Sequence, residues 1–200
     1  MQVLEVPTQN NFSLLLRRYT LEEFWALPEP EDRTRYELIG GYLFMVPPPK
    51  EPHDDIGARM TRAIMKFVLE NNIEGYVYHP RSAVWTRARG STYLEPDMMY
   101  VSKELRARRS ADIVFEYLSP GSSLYDRTIK ADTYLALDVP ELWLIDPVTT
   151  TIEVRHAHHE AEMPTWEVYI FPRGKQAKSR VLKGWEVSVD DIFDGLPHHE

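Results

Sequence analysis

The stretch Ile113-Val114-Phe115-Glu116-Tyr117-Leu118 determines how the rest of the sequence is interpreted. Apolar and aromatic residues fill every position except one, which is typical of a buried strand in a central sheet. Glu116 is the exception. Burying an ionised carboxylate costs several kcal/mol unless a cation or hydrogen-bond donors compensate it. The stretch therefore predicts a core strand whose carboxylate has a partner in the fold.

A helix and a second apolar strand follow this core strand. Ser122 or Ser123 can cap a helix that reaches Leu137, and Leu142-Trp143-Leu144-Ile145 forms the next strand. The order strand, helix, strand implies a crossover connection between the two strands.

The crossover helix carries a polar stripe. Asp126, Lys130 and Tyr134 are spaced by four residues, which places them on one face of the helix. Lys130 is expected to lean over the end of the Glu116 strand. An ammonium there could hold a nucleophilic water or neutralise a scissile phosphate, as phosphodiester hydrolysis requires.

Asp97 supplies a second carboxylate. It follows Glu95-Pro96 and directly precedes the apolar run Met98 to Val101, so it can project from the end of a strand. Two carboxylates on neighbouring strands suit Mg²⁺, a hard ion that prefers oxygen ligands. The alternative is a buried ion-pair network in which Lys130 compensates both carboxylates. Residue chemistry leaves both interpretations open.

The segments before Asp97 predict a helix, a hairpin, a long helix and short strands. Thr20 and Glu23 have capping-box spacing, which predicts a short first helix. Two strands meet at Gly40-Gly41, and apolar residues recur at helical spacing beyond Asp54. The predicted elements are strands at 36–39 and 42–46, a helix at 54–71, and strands at 76–78 and 83–85.

The sequence predicts one folded unit with two appendages. Residues 1–18 form an N-terminal arm, residues 19–155 the main domain, and residues 156–200 a β-rich C-terminal extension packed on the same domain. Short strands are expected at 151–155, 166–171 and 185–187. A structural or surface role is expected for the three histidines of this region, His156, His158 and His159. Three aromatic residues look exposed and suggest a dimer interface: Trp166, Tyr169 and Trp185.

Composition restricts the class of protein. The chain has 200 residues, is 43% hydrophobic and contains no cysteine, so disulfides and thiolate chemistry are excluded. It shows neither a membrane-spanning stretch nor a secretory signal, which predicts a cytoplasmic protein. The net charge of -8 gives no global attraction for nucleic acid. Two local clusters could still line a groove: Lys103, Arg106, Arg108 and Arg109, and Arg81, Arg87 and Arg89.

An ordered set of motifs resembles the Uma-type putative restriction endonucleases, which belong to the PD-(D/E)XK nuclease superfamily. The resemblance covers roughly residues 19 to 155, and its order makes it more specific than any single motif. The motifs are Tyr36 to Gly41, Pro47-Pro48-Pro49 followed by His53, Glu95-Pro96-Asp97, Ile113 to Ser122, Asp126, Lys130, Tyr134, Val139 to Trp143, and Asp146-Pro147.

This resemblance implies a restriction-endonuclease-like α/β fold, a central mixed sheet flanked by helices, and a metal-dependent site. Asp97, Glu116 and the backbone carbonyl of Tyr117 would bind Mg²⁺, for which Mn²⁺ could substitute. Leu118 occupies the usual lysine position, so Lys130 would be a displaced catalytic lysine. Glu37 resembles an additional acidic residue, with a charge on an edge strand as the alternative.

Further expectations concern the role of His53 and the function of the protein. His53 could touch substrate, although capping of the long helix is the preferred interpretation. The predicted function is a Mg²⁺-dependent DNA endonuclease that works as a homodimer. Two alternatives remain: a catalytically silent scaffold or nucleic-acid-binding module, and a nuclease for RNA or branched DNA, which would use the same chemistry.

Overall fold

The computed structural model describes residues 17–32, 34–87, 90–105, 110–159 and 163–196. The chain divides into two compact units. The first comprises residues 1–48 and 85–94, and the second comprises residues 49–84 and 95–200. Most of the predicted N-terminal arm, Arg89, the three arginines from Arg106 to Arg109, and the four C-terminal residues lie outside the described ranges.

The first unit contains a short helix and a four-stranded sheet. Helix α1 (Leu21–Trp25) begins with the predicted capping box of Thr20 and Glu23. The hairpin of β1 (Arg35–Ile39) and β2 (Tyr42–Val46) is confirmed. Strands β4 (Val84–Thr86) and β5 (Thr92–Leu94) complete the sheet in the order β2-β1-β5-β4. Strand β1 is therefore internal, which makes the edge-strand alternative for Glu37 wrong.

The second unit is built on a six-stranded mixed sheet in the order β10-β9-β8-β7-β6-β3. Strands β7 and β8 are parallel, as the crossover predicts, and each other neighbouring pair is antiparallel. The strands are β3 (Gly75–Tyr78), β6 (Met98–Ser102), β7 (Ile113–Tyr117), β8 (Glu141–Asp146), β9 (Thr151–His158) and β10 (Thr165–Phe171). The predicted limit of the main domain at residue 155 falls inside β9.

Two longer helices belong to this second unit. Helix α2 (His53–Glu70) buries the apolar stripe expected from its sequence, including Ile56, Met60 and Ile64. Helix α3 forms the crossover between β7 and β8. It consists of two α-helical segments, Ser123–Tyr125 and Ala131–Ala136, and a π-helical turn between them, Asp126–Lys130. The periodicity of the sequence does not predict the π turn.

The alternation of side chains along β7 separates its apolar face from its polar face. Ile113, Phe115 and Tyr117 join the cluster that contains the buried residues of α2. Glu116 lies between them in the chain and so points to the opposite side, where it contacts α3. One strand thus serves an apolar core on one face and a polar centre on the other.

The C-terminal segment completes the apolar core of this unit. Strands β11 (Gln176–Lys178) and β12 (Glu186–Ser188) form a small sheet, and helix α4 (Val189–Phe193) follows. Trp185 is 2% exposed, and its ring lies 4.9 Å from that of Trp143. Its expected place in an exposed interface is therefore wrong, because the apolar face of the sheet needs a cover. Trp166 is half-buried and Tyr169 is exposed.

Glu141 anchors this C-terminal segment to the sheet. Its fully buried carboxylate accepts hydrogen bonds from the backbone N–H groups of Arg180 (2.7 Å) and Val181 (3.1 Å), and from Trp143 Nε1 (2.7 Å). His156 is also buried, and its Nδ1 lies 3.3 Å from Glu141. Burial alone would raise the pKa of Glu141, but the hydrogen bonds from His156, Trp143 and the neighbouring loop outweigh it, and the pKa is lowered.

The lowered pKa of Glu141 predicts a pH-dependent contribution to stability. Because the folded pKa lies below the unfolded one, the contribution is present above the ordinary pKa of about 4.5 and is lost as the pH falls through the folded value. Glu141→Gln should reduce the free energy of unfolding by about 2 kcal/mol at pH 7. In urea titrations, the difference from the parent protein should shrink between pH 7 and pH 3.

Glu186→Gln is the matched control, since Glu186 is exposed and pairs with Lys178 at 3.4 Å. It should change the unfolding free energy by less than about 0.5 kcal/mol. A penalty for Glu141→Gln that stays constant down to pH 3 would contradict the assignment of a stabilising ionised carboxylate.

Candidate active site

Glu116 and Lys130 meet in a buried contact between β7 and the π turn of α3. Lys130 Nζ lies 2.8 Å from Glu116 Oε1, and Tyr134 donates its hydroxyl to the same oxygen at 2.6 Å. Glu116 and Lys130 are 2% and 1% exposed. Asp126 Oδ1 lies 3.8 Å from Lys130 Nζ. Two members of the predicted polar stripe, Lys130 and Tyr134, therefore contact Glu116, and the third, Asp126, lies beside Lys130.

Asp97 is fixed beside the same strand. Its Oδ2 accepts a hydrogen bond from the backbone N–H of Tyr117 at 2.8 Å. The register of β6 and β7 pairs Met98 with Phe115, so Asp97 and Glu116 are the next positions along the two chains. The structure thus places Asp97 and Glu116 at adjoining backbone positions and brings Glu116 into contact with Lys130. That the three side chains form one site stays a prediction.

His53 has a different position from the one expected of a helix cap. It is the first residue of α2, the N-cap is Pro52, and no side chain caps the helix. Instead, His53 Nε2 lies 3.1 Å from Asp97 Oδ2, and its ring meets Tyr117 edge-on at 5.2 Å. Burial lowers the pKa of His53, but the hydrogen bond and charge of Asp97 and a contribution from Asp54 outweigh burial and raise it. The preferred capping role is therefore wrong.

Tyr117 contributes mainly through its backbone. Its phenol is buried and contacts Met98 Sδ at 3.7 Å. Burial, together with the charges of Asp97 and Glu116, raises the pKa of this phenol well above its ordinary value. The hydroxyl is therefore neutral near pH 7 and is unsuited to act as a base. The role of the Tyr117 carbonyl as a metal ligand stays a prediction.

Glu37 belongs to the first compact unit, whereas the other three candidate residues belong to the second. It is 1% exposed and lies on β1 opposite Phe44. Its assistance in catalysis stays a prediction.

The donor chemistry of the site is compatible with Mg²⁺. Asp97 and Glu116 offer carboxylate oxygens and Tyr117 offers a carbonyl oxygen, all of them hard ligands. In the described ranges, no group of three or more histidine, cysteine, aspartate or glutamate residues could hold a metal ion. Mg²⁺ does not require such a group, since it is commonly held by one or two carboxylates together with waters and substrate phosphates.

The basic clusters expected to line a groove are ion-paired where they are described. Lys103 lies 2.9 Å from Glu74, Arg87 lies 2.7 Å from Glu22, and Arg81 lies 4.0 Å from Glu95. These contacts do not single out a nucleic-acid-binding surface among the described residues.

Among the residues that the structure describes, none of the helices combines the length and the hydrophobicity of a membrane span.

Comparison with known proteins supports a nuclease-like fold. A family model described as Uma2, putative restriction endonuclease, matches residues 21–190. The chain is also similar to a crystal structure described as a putative nuclease belonging to DUF820 from Anabaena variabilis ATCC 29413. The TM-score is 0.70 at 23% sequence identity, with 88% of this chain and 97% of that chain covered. At this identity, the likeness shows the fold alone. No curated protein matched the chain.

The Glu116–Lys130 contact predicts strong energetic coupling. Lys130→Met would leave Glu116 buried without its ammonium, so the single variants should be more damaging than the double variant with Glu116→Gln. We expect a coupling energy of about 3 kcal/mol from a double-mutant cycle followed by urea denaturation.

The exposed pair Lys178 and Glu186 provides the matched cycle, with Lys178→Met and Glu186→Gln. Solvent screening should keep its coupling below about 1 kcal/mol. Equal coupling in the two cycles would show that Glu116 and Lys130 do not form a buried pair in solution.

Proposed function

Since the chain belongs to the Uma2 family of putative restriction endonucleases, we propose that it is a Mg²⁺-dependent nuclease that hydrolyses DNA phosphodiester bonds. The observation that carries the proposal is the buried contact between Glu116 and Lys130, with a second buried carboxylate, Asp97, held by the backbone N–H of the residue that follows Glu116. Asp97 directly precedes β6, Glu116 lies on β7, Lys130 ends the π turn of α3, and all three side chains are buried.

Asp97 and Glu116 would hold the metal ion, and the Tyr117 carbonyl would be a further ligand. When bound, Mg²⁺ supplies Lewis-acid stabilisation of the negative charge that phosphodiester hydrolysis develops. His53 and the Tyr117 N–H fix the orientation of Asp97, and Tyr134 fixes that of Glu116. Held in this way, the carboxylates need little reorganisation during the reaction.

Lys130 would act on the substrate and the attacking water. Its ammonium can donate to a water oxygen and attract the phosphoryl oxygens, which gain negative charge in the transition state. Because Lys130 is buried beside Glu116, its charge acts in a medium less screened than bulk water. Glu37 is proposed as an assisting acidic residue.

The proposal includes a homodimer that acts on DNA in the cytoplasm. A single active site of this kind cuts one DNA strand. Two copies of the chain would therefore be needed to cut both strands of a DNA duplex at once. Sedimentation analysis of the purified protein would test the dimer.

Cleavage assays test the assignment of residues. Purified protein should cut supercoiled plasmid with Mg²⁺ or Mn²⁺ and lose this activity in EDTA. Asp97→Asn and Lys130→Met should each reduce the rate at least about 100-fold, the loss typical when a charge-stabilising group is removed. Lys178→Met, which removes an exposed lysine from an ion pair, should retain the parent rate.

The substrate class is tested in the same assay with single-stranded DNA, RNA of matched length and a four-way DNA junction. If the protein cleaves RNA or the junction preferentially, that nucleic acid replaces duplex DNA as the proposed substrate. Activity that persists in Asp97→Asn or Lys130→Met would remove those residues from the catalytic site.

The silent-scaffold alternative is favoured by the contacts that Glu116 and Asp97 already make within the protein. It predicts no cleavage of any of these substrates and no heat of Mg²⁺ or Mn²⁺ binding in calorimetry. A metal isotherm that Asp97→Asn abolishes would count against it.

A further inference from the structure

A second buried ion network lies on the face of the sheet that α3 covers. Arg127 is the second residue of the π turn, and its guanidinium reaches two carboxylates. Its Nη2 donates to Asp146 at 2.9 Å, at the end of β8, and its Nη1 donates to Glu153 on β9. Asp146 and Glu153 are both buried. The side chain of Arg127 therefore connects the π turn to both β8 and β9.

Arg155 provides a second connection between Arg127 and β9. Its Nε donates to Glu153 at 2.6 Å, and its Nη1 donates to the backbone carbonyl of Arg127 at 2.9 Å. Both the side chain and the carbonyl of Arg127 are thus connected to β9 through Glu153 and Arg155. Two guanidinium groups face two carboxylates, so the cluster is balanced in charge and can stay ionised while mostly buried.

The same turn carries Lys130, three residues after Arg127. A π turn holds one more residue than an α turn, and such turns occur frequently at functional sites. Relaxation to α geometry would shift Lys130 by one residue of register, which is about 1.5 Å along the axis and about 100° around it. Such a shift would remove Nζ from its contact with Glu116. Whatever holds the π turn therefore also determines where the ammonium lies.

We propose that Arg155, acting through Glu153 and Arg127, is a positioning residue that holds the π turn and so places Lys130 beside Glu116. The proposal rests on the nuclease function proposed above, in which Lys130 acts on the substrate. The register of the sheet supports it. Glu116, Leu144 and Glu153 are successive partners across β7, β8 and β9, so the network and the site lie in one row under the same helix.

The test compares Arg155→Met and Arg155→Lys with a matched control. Arg173→Met is the control, because Arg173 likewise contacts two residues through its guanidinium, here the carboxylates of Asp190 and Asp194, but is exposed and lies outside the network. Steady-state kinetics with a short duplex oligonucleotide and Mg²⁺ should show a fall in kcat of at least about tenfold for Arg155→Met, with KM within about twofold. Arg173→Met should keep both values.

Arg155→Lys should give an intermediate kcat. A lysine keeps the charge beside Glu153, but its single ammonium cannot reproduce the two-sided contact of a guanidinium with Glu153 and the Arg127 carbonyl. If Arg155→Met does not fold, Arg155→Lys decides the question alone: a kcat equal to that of the parent protein would overturn the proposal.

A second measurement does not depend on activity. The double-mutant cycle of Lys130→Met and Glu116→Gln is repeated in the Arg155→Lys background. Positioning predicts that the coupling, expressed as a ratio of unfolding equilibrium constants, falls at least about fivefold. In the Arg173→Met background it should be unchanged.

The two measurements separate the two proposals. If the parent protein cleaves none of the substrates, the nuclease function fails, while a loss of coupling still supports positioning by Arg155. If Arg155→Lys is merely less stable, with unchanged coupling and unchanged kcat, the positioning role is overturned.

Discussion

A carboxylate in the middle of a sheet has to be compensated, and the position of Glu116 sets conditions for everything around it. Strand β7 is internal, with β6 on one side and β8 on the other. Glu116 itself is 2% exposed, so solvent is not available to stabilise the charge, and the compensating groups must come from the element that covers that face. Helix α3 provides them through Lys130 and Tyr134. The crossover between β7 and β8 thus covers the sheet and also stabilises its buried charge.

The opposite face of the sheet provides a rigid base for this polar centre. The rings of Trp143, Phe115 and Trp185 pack in tilted and edge-on contacts with centroids 4.9 to 5.9 Å apart, and α2 and the C-terminal segment pack around them. Close-packed aromatic residues resist displacement, because any shift opens a cavity. Strand β7 is consequently held on its apolar side while its polar side carries Glu116. Preorganisation of charged groups in this way is what electrostatic catalysis requires.

Most elements of the fold, and the contact of Lys130 with Glu116, are predictable from the sequence because both depend on local patterns. Alternation and spacing locate β7, α2 and α3, and a carboxylate within an apolar strand identifies Glu116 directly. Three features were not predictable from the sequence. The π turn depends on tertiary contacts of Arg127, and the burial of Trp185 depends on a distant sheet face. His53 looked like a cap because it begins a helix, and only the folded arrangement shows that its ring reaches Asp97.

The acidic net charge is a weaker argument against a nucleic-acid substrate once the positions of the charges are known. In the described part of the second unit, seven carboxylates are buried: Glu95, Asp97, Glu116, Asp126, Glu141, Asp146 and Glu153. Several of them are matched by hydrogen bonds or cations inside the fold, as Glu141 is by backbone N–H groups and Glu153 by two arginines. A formal sum counts such groups as if they faced solvent. The field that a nucleic acid meets depends on the distribution of exposed charges and on any bound cation, so a chain of net charge -8 can still present a surface that accepts a phosphate backbone.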